Sequence, residues 1–166
     1  MGKDNDRYAM PRVMNTAELA TGPTLTDPAI FRTYLGDPDS AVRYWCTVGV
    51  LRQGKKAVEV CAAALRTALA DPAVNVRINA AEALARFSDE EDLKPALAVL
   101  MNAADATKTS NYAAIAALNA LSEIGAEKVK PLRPQIQALP LKNSQNPERS
   151  GGYVARLVEY LLQMTA

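Results

Sequence analysis

The chain of 166 residues is long enough for one domain with a sizeable core and short for two. Hydrophobic residues make up 49% of it, which excludes a disordered chain, and the complete lack of histidine excludes catalytic triads, zinc sites and general bases that need one. A formal net charge of +1 leaves no bulk positive charge for non-specific nucleic-acid binding, and no stretch approaches the eighteen apolar residues of a membrane span.

Helical periodicity runs along the chain, and no sustained period-2 alternation indicates a strand. In segment 74–87, apolar residues such as Val74, Ile78 and Ala81 keep the spacing of one buried face. Asp-Pro pairs are typical of helix starts, and glycines after apolar stretches are typical of helix ends. The patterns predict an all-α fold with helices at 11–20, 27–35, 39–52, 57–70, 73–87, 90–103, 110–124, 128–138 and 151–164.

The sequence contains an internal repeat whose period is the interval from Asp37 to Asp71. Aligning Asp37-Pro38 with Asp71-Pro72 also aligns Val42-Arg43 with Val76-Arg77. A third copy over 112–125 follows at a slightly longer interval and lacks both pairs. Helix pairs that repeat at this period cannot each bury a face alone, so we expect them to stack with a shared core.

The segments DPDSAVRYWCTVGVLRQG and DPAVNVRINAAEALARFSDEEDLKPAL resemble HEAT repeats of the short type found in phycobilisome lyases. The resemblance implies an α-solenoid, a right-handed superhelix of stacked antiparallel helix pairs with about eight or nine helices. It covers 25–125, so we expect 1–24 to form an N-terminal capping helix region. In the same single domain, we expect 126–166 to hold C-terminal capping helices with a flexible loop at 140–152.

A narrower resemblance concerns 9–57, 119–121 and 152–154, which are similar to the helical C-terminal region of some bacterial sulfatases. Those are exported enzymes whose HEAT-like repeats follow the catalytic domain. The sulfatase motif Cys-x-Pro-Ser-Arg is missing around both Cys46 and Cys61. The resemblance therefore implies an accessory domain without the active site, periplasmic or secreted together with its parent enzyme.

Four residues at repeated positions predict a structural ladder between the stacked turns. Asp37 and Asp71 each precede an arginine by six residues, Arg43 and Arg77. We expect each arginine to bind the Asp and the loop carbonyls of its own or the neighbouring repeat, although an anion site on the concave face is the alternative. Because the third copy lacks these pairs, the ladder is expected to stop after two rungs.

The remaining polar and aromatic residues indicate an interaction surface rather than a catalytic site. We expect an interaction surface at Tyr44, Asn75, Asn79 and Tyr112. No acid/base pair, cofactor site or metal site is predicted, because the dense acidic run 89–92 lies at a helix start, where it complements the helix dipole.

The patterns favour a non-catalytic scaffold or interaction module that docks a protein partner or its own catalytic domain, with no nucleic acid and no membrane. The alternatives are a stand-alone HEAT-repeat enzyme, a lyase or chaperone-like protein, and a nucleic-acid-binding solenoid.

Overall fold

The structure is a computed structural model that describes residues 10–141 and 150–166. This described part is all-helical and contains no strand, which confirms the predicted all-α class. Its helices are α1 (Met10–Thr21), α2 (Pro28–Tyr34), α3 (Ser40–Gln53), α4 (Lys55–Ala68), α5 (Val74–Phe87), α6 (Glu90–Ala104), α7 (Asn111–Ile124), α8 (Ala126–Val129), a 3₁₀ turn (Lys130–Leu132), α9 (Arg133–Gln137) and α10 (Ser150–Met164).

The helices lie in two rows. In the first row α1, α3, α5, α7 and α10 lie side by side in that order, each in contact with the next. In the second row α2 packs against α3 and α4, α4 packs against α3 and α5, and α6 packs against α5 and α7. Beyond them α8 contacts α7, and α9 contacts α10. A long first row therefore lies against a shorter and more loosely joined second row.

The Asp-Pro pairs start helices less uniformly than the sequence predicts. Asp27 caps α2, whose first residue is Pro28, because its carboxylate accepts the Ala29 amide at 3.0 Å. Asp37 and Asp71 instead accept the amides of the residues two positions later, at 2.8 Å each, and close the turn before the helix. Helices α3 and α5 then begin two to three residues beyond those aspartate–proline pairs.

The predicted continuous helix at 128–138 is wrong. Pro131 and Pro134 both lie within it, and proline has no amide proton to continue the helical hydrogen bonds. The segment is accordingly broken into α8, the 3₁₀ turn and α9. Of the loop expected at 140–152, residues 142–149 lie outside the described part, while 150–152 already belong to α10.

Small residues let the first-row helices approach closely. Half of the residues of α5 are buried, including Ala80, Ala81 and Ala83, and Asn75 is its one exposed residue. At Gly49 on α3, an added Cβ would overlap the ring of Phe31, which is fully buried. Helix α2 can therefore insert its phenylalanine against α3 only because residue 49 has no side chain.

Candidate functional site

The strongest contact between the predicted ladder residues joins two consecutive turns. Arg43 on α3 binds both carboxylate oxygens of Asp71, with Nε–Oδ2 at 2.6 Å and Nη2–Oδ1 at 2.8 Å. Its other amino group donates to the carbonyl oxygens of Asp37, at 2.8 Å, and Pro38, at 3.0 Å. Arg43 thus binds the carbonyls of its own turn and the carboxylate of the next turn.

This pairing lowers the pKa of the Asp71 carboxyl group. Burial alone would raise the pKa of Asp71, but the hydrogen bonds from Arg43 and the Ala73 amide hold that pKa below its ordinary value. The side chains of Arg43 and Asp71 keep only 12% and 7% of their exposure, so water screens the pair weakly. Four of the five N–H donors of Arg43 are bound to these carboxylate and carbonyl oxygens.

The other two ladder residues make weaker contacts. Arg77 donates to the carbonyl oxygens of Asp71, at 2.6 Å, and Pro72, at 3.1 Å, with no carboxylate among its partners in the described residues. Asp37 pairs with Arg12 of α1, whose Nε lies 3.2 Å from the Asp37 carboxylate. Because half of the Arg12 side chain is exposed, this pair is better screened than the Arg43–Asp71 pair.

The sequence reasoning missed a third aspartate in the same series. Asp105 follows Asp71 at the interval by which Asp71 follows Asp37. It accepts the amide of Thr107 at 2.9 Å, which repeats the turn geometry of the two earlier aspartates. Its ion-pair partner is the neighbouring Lys108, at 3.1 Å, rather than an arginine from the preceding repeat. The constant spacing of the three aspartates is the signal that could have found it.

A second link between repeats was also missed. Arg66 on α4 binds both carboxylate oxygens of Asp92 on α6, at 2.7 and 2.9 Å, and the Ser88 hydroxyl donates to the same carboxylate. Asp92 is buried, and the hydrogen bonds from Arg66 are the main reason that its pKa falls below the ordinary value. The acidic run 89–92 therefore contains one carboxylate that joins two helices, in addition to the charges at the start of α6.

Three of the four predicted interaction residues, Asn75, Asn79 and Tyr112, lie on one side of the first row, which we call the outer face. It consists of one stripe on each of α3, α5 and α7 whose side chains are exposed or half-buried. Its residues are Ala41, Trp45, Val48 and Arg52 on α3, Asn75, Asn79, Glu82 and Arg86 on α5, and Tyr112, Ala116, Asn119 and Glu123 on α7.

Within the outer face the predicted residues differ in their accessibility. Asn75 is exposed and Tyr112 keeps 80% of its exposure. Asn79 is half-buried and donates at 3.1 Å to the hydroxyl of the fully buried Thr47, so it links α5 to α3. Tyr44 is half-buried at the edge of the face, with its ring edge-on to Trp45 at 5.4 Å between centroids.

A charged group that the sequence did not single out completes the outer face. Arg86 binds Glu82 at 2.8 Å on the same helix and lies 3.7 Å from Glu123 on α7. Burial raises the pKa of Glu82 above its ordinary value, although Arg86 opposes that shift. Because the arginine lies between two carboxylates, the group is a partly buried polar network and not an isolated acid.

The second row contains an open apolar groove of about 500 Å³ between α6 and the segment 128–135. The groove is open because α6 makes few contacts with the short pieces α8 and α9. Its lining is mainly apolar, with charged and amide groups at the rim: Leu93, Leu97, Ala98, Pro131 and Leu132, then Glu90, Lys94, Lys128 and Gln135. None of the predicted interaction residues lines it.

Both cysteines are free thiols with no exposed surface. Burial raises the pKa of Cys46 to about 12 and that of Cys61 to about 11, so both are protonated at neutral pH. The Cys61 thiol lies 3.4 Å from the Pro28 carbonyl oxygen. The two thiols therefore fill space in the core as small apolar groups.

Within residues 10–141 and 150–166, no group of three or more Cys, Asp or Glu side chains could hold a metal ion. No helix of the described part is long and apolar enough to cross a bilayer. Comparisons with known protein families, with curated proteins and with solved structures found no match to this chain.

Proposed function

We propose that this chain is a non-catalytic docking module built as a HEAT-like right-handed α-solenoid. The two rows of helices and the turns that recur at a constant interval support the solenoid. Each turn at Asp37, Asp71 and Asp105 repeats one local geometry, which is what stacked copies of one unit require.

The distribution of ionisable groups favours docking over catalysis. Asp71 and Asp92, both buried, are each held by a bidentate arginine. Glu82, whose pKa is raised, is bound to Arg86. A general acid or base needs a pKa near the working pH and access to substrate, and these groups are already committed to structural partners.

The groove between α6 and 128–135 is the observation that carries the docking proposal. Its volume of about 500 Å³ and its mainly apolar lining are typical of sites that bury a partner's apolar side chains. Glu90 and Lys94 on its rim are both exposed and supply one charge of each sign. The partner that suits it is a protein segment with apolar side chains flanked by charges of both signs.

The second docking surface is the outer face together with Tyr44 at its edge, and it includes Asn75, Asn79 and Tyr112. The exposed side chains of Asn75 and Tyr112 are adaptable contacts of the kind found at protein interfaces. The first partner to consider is the chain's own parent enzyme, because the resemblance to sulfatase C-terminal regions implies a neighbouring catalytic domain. Two surfaces on opposite rows let one module contact that domain and a second protein.

Site-specific photocrosslinking in the source cells tests the docking proposal. A photoreactive amino acid is placed at Ala98 in the groove, at Tyr112 on the outer face, and at the exposed Ala63 on α4 as a control. We expect a discrete protein adduct at Ala98 or Tyr112 and none at Ala63. Adducts that are the same at all three positions would refute a defined docking surface.

A pair of matched variants then separates the groove from general surface effects. Leu132→Glu places a charge in the groove, and Leu141→Glu places the same charge on an exposed leucine outside it. The Ala98 adduct should disappear with Leu132→Glu and persist with Leu141→Glu. Circular dichroism of both variants checks that the fold is retained.

A further inference from the structure

A pocket of about 470 Å³ lies between α2 and α4, where both helices end. The two helices pack against each other in the second row, and the pocket shares no residue with the groove beside α6. Its volume is in the range of small-molecule sites. The side chains that matter for what it can bind are Arg32, Thr33, Leu35, Ala64, Thr67 and Ala68.

Arg32 lines this pocket without a partner for its guanidinium. The side chain is exposed, and within residues 10–141 and 150–166 it makes no hydrogen bond or ion pair. Each of the other arginines in those ranges has a hydrogen bond, an ion pair or a ring contact. The charge of Arg32 opposes the rise that burial causes in the pKa of Cys61 on α4, so the guanidinium lies toward that helix. Arg32 therefore brings unpaired N–H donors to the pocket.

The internal repeat identifies the partner that Arg32 lacks. The period of the repeat also separates Arg32 from Arg66, so the two arginines occupy equivalent positions near the ends of α2 and α4. Arg66 binds both carboxylate oxygens of Asp92, near the start of the next helix of the second row. At the position equivalent to Asp92 the chain has Val58, which is fully buried. Arg32 thus lies at a carboxylate-binding position for which the chain supplies no carboxylate.

The other polar groups of the pocket favour a monoanion with two oxygens. The hydroxyls of Thr33 and Thr67 donate at 3.2 Å to the carbonyl oxygens of Ala29 and Ala63 in their own helices, so their single protons are already used. The carbonyl ends of two helices also meet here, and their partial negative charge disfavours a dianion. A planar carboxylate brings one charge and two acceptors to one guanidinium, as Arg66 shows in the next repeat.

The rest of the lining is able to hold a short aliphatic chain. Leu35 and Ala68 are buried side chains at the pocket, and Ala64 beside them is half-buried. The carboxylate of Asp71 also lines the pocket, but Arg43 binds both of its oxygens and balances its charge. Each methylene that the apolar side chains remove from water should tighten binding by about three- to fourfold.

From these observations we propose that the pocket between α2 and α4 binds a small organic acid. Its carboxylate pairs with Arg32, as Asp92 pairs with Arg66, and its aliphatic chain lies against Leu35, Ala64 and Ala68. Because Arg32 is exposed, water screens the pair, and we expect a dissociation constant of roughly 1 mM for a four-carbon acid. The site uses no residue of the groove or of the outer face, so it does not depend on the docking proposal.

Titration with butanoate, followed through the backbone amide signals of the isotope-labelled chain, tests the site. Signals of 32–36 and 64–72 should shift and saturate, and butanamide, which has the same chain without the charge, should bind about fivefold more weakly or less. Arg32→Gln should weaken butanoate binding about fivefold or more. Lys56→Gln is the matched control, because it removes an exposed charge on α4 outside the pocket and should leave binding unchanged.

Two results of that titration overturn the proposal. One is the absence of a saturable shift in the wild type. The other is equal binding by Arg32→Gln and Lys56→Gln, which would mean that Arg32 only complements the negative end of α2.

Two further probes test the chain and the charge of the ligand separately. Hexanoate adds two methylenes and should bind about three- to tenfold more tightly than butanoate, and Ala64→Leu should remove that gain by filling the pocket while Arg32 stays in place. Hexanoate that binds no better than butanoate would refute the aliphatic contact. Inorganic phosphate should bind more weakly than butanoate, and phosphate that binds more tightly would refute the assignment to an organic acid.

Discussion

The turns before α5 and α7 start from the same residue but are secured differently. Asp71 and Asp105 occupy equivalent positions in successive repeats, and each accepts the amide two residues later. Asp71 is then bound by Arg43 from the preceding repeat, whereas Asp105 is bound by Lys108 of its own turn. Both turns therefore share the hydrogen bond from the aspartate, whereas the ion pair to the preceding repeat is present only where Arg43 supplies it.

The C-terminal third uses other contacts to attach its helices. Lys128 donates at 2.8 Å to the Ala85 carbonyl oxygen near the end of α5, and Arg133 donates to the Leu162 carbonyl oxygen near the end of α10. Asn111 donates at 2.8 Å to the Ser150 hydroxyl and joins α7 to α10. These three are contacts to helix ends, and none of the three is a buried ion pair like that of Arg43 with Asp71.

Replacing the two aspartates should have the largest effect and should separate the two turns. Asp71→Ala leaves the poorly hydrated Arg43 without its carboxylate and the Ala73 amide without an acceptor, and we expect a loss of about 3 kcal/mol. Asp105→Ala frees the amide and the hydroxyl of Thr107, which water can reach, and a lysine that is 61% exposed, so we expect about 1 kcal/mol. Urea denaturation measures both, and equal losses would contradict the difference between the turns.

Replacing Arg43 and Arg77 should also lower stability by different amounts, with a smaller difference between the two variants. Arg43→Ala removes a bidentate carboxylate contact and two carbonyl contacts, and it should cost about 2–3 kcal/mol. Arg77→Ala removes carbonyl contacts alone, and we expect about 1–2 kcal/mol. The urea midpoints of both variants provide the check. A change below about half a kcal/mol for Arg77→Ala would mean that its hydrogen bonds add nothing to stability.

Acid should weaken the ladder through the carboxylates. The pKa of Asp71 lies below its ordinary value of about 3.9 in the folded state, so its contribution is complete above that value. The contribution is lost as the pH falls through the folded pKa, because protonation then ends the pairing with Arg43. Asp71→Asn should therefore lose less stability between neutral pH and pH about 3 than the wild type does. An identical loss in both proteins would show that other carboxylates dominate.

Local signals made much of the fold predictable. Apolar periodicity predicted the helices. Of the three glycines that follow apolar stretches, Gly54 and Gly125 adopt positive φ values of 70° and 96° at helix ends, whereas Gly36 does not adopt a positive φ. The break within 128–138 was not predicted, because apolar periodicity favoured one continuous helix in spite of Pro131 and Pro134. The proline rule alone would have predicted it.

The site was less predictable because its contacts lie between elements. The pairing of Arg66 with Asp92 joins two helices across 26 residues of sequence, and no repeated motif marks it. The groove depends on the gap between α6 and the short pieces that follow α7, and a gap has no residue signature. Asp105 could have been found, since its spacing from Asp71 equals that of Asp71 from Asp37.

The smallest effect is expected at the junction of α7 and α10. Asn111→Ala removes one amide–hydroxyl hydrogen bond at a partly buried position, and we expect a loss of about 0.5–1 kcal/mol. The loss should be local, because that hydrogen bond is Asn111's link to α10 and the inter-repeat arginines are untouched. Hydrogen exchange followed residue by residue should show faster exchange in α10 and unchanged exchange in α3 to α5. Faster exchange in α3 as well would mean that the two regions open together, and the arginine link would then not distinguish them.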